Sequence, residues 1–178
     1  MSRKVWRIIV DFTFGIITHS NQENHINLII DSIEKENIPN YEVIIVGSCK
    51  IKRHNTQIIP FNEFIKKAWV TRKKNIITQH AKYENIVYMH DYIKLENGWY
   101  KGFLKFGNNF DIAMTKIHDI IDRRYYDWVN WDNKKYPRYF FVPYNIDNSK
   151  YNYIPGSYWI AKKQIMLDNP LNENLCWG

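Results

Sequence analysis

The chain has 178 residues, 45% apolar and 24% charged, the make-up of a soluble globular protein large enough to bury a real core as one domain, 1–178. No run of eighteen apolar residues occurs, so no membrane span is expected; the N-terminal apolar run is broken by Asp11 and does not read as a secretory signal. Two cysteines, Cys49 and Cys176, are too few for a disulfide framework and point to a reduced, cytoplasmic setting (the host cytoplasm if the gene is viral), while the net charge of +7 favours anionic partners without choosing among them.

In chain order, Val5 to Thr18 is dense in Ile, Val, Phe and Trp and predicts a central strand ending near Thr18. Ser20 stands three residues before Glu23, a capping box, and Ile26, Ile29, Ile30 and Ile33 then form one apolar helical stripe. Pro39 ends that helix, and Tyr41 to Val46 (YEVIIV) is a second buried strand stopped by Gly47-Ser48. This strand–helix–strand run predicts a βαβ unit with parallel strands and a right-handed crossover.

Gln57 to Pro60 predicts a short third strand, and Ile65, Ala68, Trp69 and Ile76 one face of a basic helix into which Arg72 intrudes. Arg72 either snorkels to water or, with Lys74 and Asn75, projects past the helix end toward a phosphate. Asn85 to Met89 is a short apolar run with no polar face, read as a strand covered on both sides. Asp91 follows it directly, where ligands of open α/β sheets bind. Farther on, Phe110 to Lys116 and Tyr153 to Ile160 are expected strands, the second interrupted by Pro155-Gly156-Ser157, before a short helix from Ala161 to Leu167. His118 to Tyr144 is irregular, aromatic and charged; its Trp128 and Trp131 either stack on a sugar or fill a small second core.

Phosphate loops, dinucleotide fingerprints, nucleophile elbows and zinc-ligand spacings are all missing. What remains is a carboxylate at a strand end, a basic helix before it and aromatic loops after it. A hard divalent cation, Mn²⁺ or Mg²⁺, held by one carboxylate and by substrate phosphates suits such a set. In the alternative, Asp91 only caps a turn.

The order of elements and the strand-end signature NIVYMHDYI (Asn85 to Ile93) resemble the GT-A nucleotide-sugar glycosyltransferases, especially small family-2-like members. The resemblance implies a Rossmann-like α/β fold, mostly parallel, and an acidic motif holding a divalent metal against a nucleoside diphosphate. Thr18 and His19 would border the nucleotide, Gly47 and Ser48 would face its base and ribose, and Arg72, Lys74 and Asn75 would approach the ribose and diphosphate. Asp91 would bind the metal, Gly156-Ser157 would flank the donor sugar, and Trp128 beside Asp127 would lie near a glycan or glycoprotein acceptor. The implied activity is hexosyl or deoxyhexosyl transfer from a UDP-type donor. Two departures stand out. The motif has one carboxylate where the family often has two, and PLNENLCWG (Pro170 to Gly178) resembles the run-up to an acidic motif that often supplies the base. Asp119, Asp127 and Glu173 are the in-chain candidates for that base. A longer polypeptide, of which this would be the N-terminal part, is one reading of the ending; a non-catalytic nucleotide-sugar-binding module is another. A nucleic-acid-binding protein, with no helix-turn-helix or RNA-binding signature behind it, is the third. Oligomeric state and stereochemical outcome stay open.

Overall fold

The structure is a computed structural model that describes residues 9–19, 21–130, 140–144 and 152–177. Strand β1 (Phe12–Ile17) is buried along its whole length and pairs in parallel with β2 (Tyr41–Val46), the two joined by helix α1 (Glu23–Lys35). This is the expected βαβ unit. The predicted stripe of α1 is the buried one: Ile26, Ile29, Ile30 and Ile33 are all enclosed, each stabilising the fold by about 1.5–3 kcal/mol relative to exposure. Ser20 of the expected capping box lies outside the described residues; Gln22 holds the N-cap position and makes no side-chain cap bond.

Strand β3 (Thr56–Ile59) adds in parallel to the outer edge of β2, and helix α2 (Val70–His80) then leads into β4 (Asn85–His90), which pairs in parallel with the other side of β1. The helix begins later than its apolar spacing predicts. Ile65 precedes it and is exposed, and Ala68 bends the entry with a φ of 53°. After β4 comes helix α3 (Trp99–Phe106), not anticipated from the sequence, and β5 (Ile112–Ala113), which keeps two residues of the expected Phe110 to Lys116 strand.

The stretch from Tyr153 to Ile160 is divided between two sheets. Strands β6 (Val129–Asn130), β7 (Phe140–Phe141) and β8 (Asn152–Tyr153) form a small antiparallel sheet, whereas β9 (Tyr158–Lys162) crosses to the main one, antiparallel to β4, before helix α4 (Lys163–Asp168). Pro155 and the turn at Gly156-Ser157 make the change of sheet. The main sheet therefore runs β3-β2-β1-β4-β9-β5, and no helix among the described residues is long and apolar enough to cross a membrane.

Alternation along the strands divides the core in two. Phe12, Phe14 and Ile16 of β1, with Val87 and Met89 of β4, meet α1 and α3 on one face. On the other face Ile17, Ile86 and Tyr88 meet Ile77 of α2 and Met166 of α4. Gly15 matters here, because a Cβ on it would stand 2.3 Å from Ile77 Cγ2, so its bareness lets α2 lie close on the sheet. Phe12 is the aromatic centre of the first face, with Phe103 edge-on at 4.9 Å and Trp99 at 5.0 Å.

Glu36, just past α1, fastens that layer. Its two carboxylate oxygens accept the N–H groups of Gly98 and Tyr100, each at 2.8 Å, and so cap α3. A carboxylate there satisfies otherwise unpaired donors and meets the positive end of the helix dipole. We expect Glu36→Ala to cost about 1 kcal/mol, read as a fall in the thermal midpoint of roughly 2–4 °C; an unchanged midpoint would show that solvent caps α3 equally well.

Candidate functional site

Strands β2, β1 and β4 run parallel in register, so their carboxyl ends lie side by side. The pairings Ile17↔Val46 and Ile17↔His90 put Thr18 between Gly47 and Asp91. Residues flagged separately in the sequence thus form one row: Gly47 and Ser48, then Thr18 and His19, then Asp91. The row sits at the topological switch point, where α1 leaves β1 for one face of the sheet and α2 enters β4 from the other.

Thr18 is the hub of this row. Its hydroxyl donates to Asp91 Oδ2 at 2.7 Å, its N–H donates to Val46 O at 3.1 Å, and its carbonyl accepts from Lys73 Nζ at 2.6 Å. Gly47 packs against the same carbonyl. It has a φ of 147°, and a Cβ there would fall 2.2 Å from Thr18 O, so both its conformation and its neighbour require glycine. The His19 ring, largely exposed, lies with Nδ1 4.0 Å from Asp91 Oδ2. Ser48 is exposed at the outer end of the row.

The basic helix divides its side chains differently from the sequence reading. Arg72 donates to both oxygens of Glu173, and Asn75 exchanges hydrogen bonds with the backbone of Leu171 at 2.9 and 3.0 Å. Both serve the segment after α4 rather than the strand ends. Lys74 alone of the three turns toward the site: its ammonium donates to Gly156 O and lies 5.6 Å from the Trp159 ring centre. Lys74 is 3% exposed, and burial brings its pKa down to about 8.

Lys73 is the residue that the sequence reading passed over. It is as buried as Lys74, donates to Thr18 O and Glu63, and lies 5.0 Å from the Phe61 ring centre. Its spacing carried the signal, for Val70, Lys73 and Ile77 repeat at three and four residues on the inward face of α2.

Gly156-Ser157 reaches the row from the other side. Ser157 O accepts the N–H of His90 at 3.0 Å. Among the described residues, buried His90 Nε2 has no hydrogen-bond partner, and burial, with the Lys74 charge nearby, lowers the imidazole pKa to about 4. A cavity of about 140 Å³ opens beside Asp91 under His25, Leu28 and Tyr92.

The expected base candidates are all engaged. Asp127 is fully buried and accepts from Ile117 N at 2.8 Å, Tyr144 Oη at 2.6 Å and the Arg124 guanidinium. These bonds organise the aromatic loop around it. Asp119 is clasped by Arg123 through N–H at 3.0 Å and Nε at 2.8 Å, and these bonds hold its carboxyl below the ordinary range. Burial would raise Glu173, yet the hydrogen bonds from Asn75 and Arg72 bring it net below. Trp128, half-buried, accepts Val142 N at 2.9 Å through its carbonyl; Trp131 lies outside the described residues.

Among the described residues no three His, Cys, Asp or Glu side chains gather in a way that could hold a metal ion. Asp91 offers a single carboxylate, with one oxygen accepting the Thr18 hydroxyl. A hard cation fits only where substrate phosphates and water complete its shell, a mode common for Mg²⁺.

No protein-family model matches the chain, and no curated protein matches it. Solved structures do. The backbone superposes on the crystal structure of S. aureus TarS 1–349 with a TM-score of 0.65 at 13% identity, over 93% of this chain and 51% of that one. For the same protein in complex with UDP the TM-score is 0.62 at 17% identity, again over 93% and 51%. For its complex with UDP-GlcNAc it is 0.58 at 14% identity, over 90% and 47%. The chain spans about half the length of these structures. The likeness shows the fold: α/β, GT-A-like, a mostly parallel sheet flanked by helices.

Two outcomes follow from this geometry. Lys74 titrates near pH 8 in the folded chain against 10.5 for the ordinary side chain, so between those values the unfolded chain binds more protons and stability rises with pH. In urea titrations from about pH 8 to 10 we expect Lys74→Met to remove a rise on the order of 2–3 kcal/mol; equal slopes for both proteins would show that the ammonium is well solvated. Gly47→Ala should lower the thermal midpoint by several degrees, the equivalent of roughly 1–3 kcal/mol of backbone strain, where a solvent-facing loop glycine would cost far less.

Proposed function

We propose that the protein transfers a hexosyl or deoxyhexosyl group from a nucleoside diphosphate donor, UDP-linked, to a hydroxyl of a glycan or glycoprotein acceptor in a metal-dependent reaction.

 The observation that carries this reading is the row of Gly47, Thr18, His19 and Asp91 at the switch point of a parallel sheet, with the buried ammonium groups of Lys73 and Lys74 behind it. Support for a UDP-linked donor comes from the similar fold of TarS, which has been solved with UDP and with UDP-GlcNAc.

In this reading Gly47 and Ser48 face the base and ribose, and Thr18 and His19 border the nucleotide. Asp91 is the protein ligand of Mn²⁺ or Mg²⁺, which when bound supplies positive charge against the diphosphate. Thr18 holds the Asp91 carboxylate in one orientation, so little reorganisation is needed when the charged donor arrives. Lys74 adds a cation on the sheet side, where low polarity strengthens its attraction for developing negative charge on the leaving diphosphate. Gly156 and Ser157 flank the transferred sugar, and Trp128 lies toward the acceptor. Arg72 and Asn75 act one step back, holding the segment around Glu173 against α2. For the proton of the acceptor hydroxyl, Asp119 and Glu173 remain the in-chain candidates.

A second reading has a specific observation behind it. Each carboxylate expected to act as base is already hydrogen-bonded to an arginine, and the lowered pKa of Asp119 and Glu173 makes those two weak bases. On that ground the same fold would bind a nucleotide sugar without turning it over.

One experiment separates the two. With Mn²⁺ present and UDP at about a hundredfold its Kd, binding should add about 2.7 kcal/mol and raise the thermal midpoint by roughly 5–10 °C. Asp91→Ala should abolish the rise. Release of UDP from UDP-sugars by the unaltered chain supports transfer, whereas a midpoint shift without release supports the binding module. No shift with any nucleotide sugar overturns both.

A further inference from the structure

The amino ends of the same strands carry a second concavity. A cavity of about 430 Å³ lies between the starts of β2 and β3 and the turn before β4, against about 140 Å³ for the one beside Asp91. Six strand residues at about 3.3 Å each put it about 20 Å from the carboxyl-end row, at the opposite edge of the sheet. It takes no part in the chemistry assigned to Asp91.

Its lining is built rather than loose. Glu42 forms part of it, and Glu42 Oε1 accepts the buried Thr13 hydroxyl at 2.6 Å and the N–H of Lys82. Thr13 Oγ1 in turn accepts the N–H of Tyr83 at 3.1 Å, tying the turn before β4 to β1. Across the cavity, Arg53 donates to Asp31 at 2.6 Å and to Glu34 at 2.8 Å. Groups fixed in this way before a ligand arrives lower the cost of ordering on binding.

Charge narrows the ligand class. The cations are the ion-paired Arg53 and the exposed Lys82, and the carboxylates beside them are Asp31, Glu34 and Glu42. Arg53 is shared by two carboxylates, and Lys82 Nζ lies 4.9 Å from the Tyr83 ring centre. With three negative groups against two positive ones, a phosphate or a nucleic-acid backbone gains nothing here despite the basic chain. Two tyrosine rings, Tyr41 and Tyr83, supply apolar faces, while exposed Gln57 and Asn55 offer amides that both donate and accept. Aromatic faces beside amides match the alternating C–H and hydroxyl surfaces of a neutral sugar.

We propose that this groove at the amino ends of β2 and β3 is a saccharide-binding site that takes a neutral glycan segment. Because it is remote from Asp91, it would grip a polymer at a distance from the reacting end, and it stands whether or not the chain transfers sugar.

Labelled protein titrated with maltotetraose, cellotetraose and triacetylchitotriose, followed by two-dimensional NMR, tests it. At least one sugar should shift the amides of Gln57, Lys82 and Tyr83 and leave those of Asp91 and Tyr92 in place. Gln57→Ala, an exposed change that should not disturb folding, and Tyr83→Ala should each weaken that sugar by about tenfold, roughly 1.4 kcal/mol, while Asp91→Ala leaves it unchanged. Inorganic pyrophosphate serves as the anionic probe. The proposal is overturned if no sugar shifts the groove, if pyrophosphate shifts it and the sugars do not, or if Gln57→Ala binds as tightly as the unaltered chain.

Discussion

A single hydrogen bond, from the Thr18 hydroxyl to the Asp91 carboxylate, joins two neighbouring parallel strands where their paths diverge. Much of the surrounding structure serves to keep it in place. Gly47 leaves room for the Thr18 carbonyl, and Lys73 draws that carbonyl toward α2. A hydroxyl bond to a charged acceptor is among the stronger kinds available to a protein, and here it spans 73 residues of sequence. Without it the only carboxylate of the row would be free to rotate, and the row would lose its one fixed negative charge.

Helix α2 is the second constraint. Five consecutive residues each tether something different. Thr71 holds Leu175 O, Arg72 holds Glu173, Lys73 holds Thr18 O and Glu63, Lys74 holds Gly156 O, and Asn75 holds Leu171. Several of these side chains are buried, which is costly for ammonium groups unless hydrogen-bonded. The carbonyls and carboxylates of the loops meet that need, so fold stability and the placement of the site draw on the same contacts.

How much of this was readable in the sequence follows from which signals are local. The stripe of isoleucines in α1, the run YEVIIV and the two-sided apolar run before Asp91 each have a period that fits one element only, and all three elements are present. The row at the strand ends followed, because parallel pairing brings the residues after each strand together. Lys73 was hidden because a lysine reads as surface unless its partners are known, and those partners lie 10 and 55 residues away. Helix α3 was hidden because its cap is a glutamate from a distant loop, acting on a glycine with a φ of 87°. The split of Tyr153 to Ile160 depends on which sheet each half joins, a tertiary choice that alternation cannot reveal. Asp127 looked like an acid near an acceptor; that three donors would converge on it was equally non-local.

The crowding of tethers onto the first turns of α2 has a consequence for motion. Loops that meet on one short helical stretch cannot loosen one at a time, since releasing the helix start releases the end of β1, the Gly156 turn and the C-terminal strap together. Such a region behaves as one cooperative unit of local opening. Its breathing would shift the Thr18 carbonyl and the Gly156 turn in the same event, so the shape of the strand-end row would be set by the fraying of one helix.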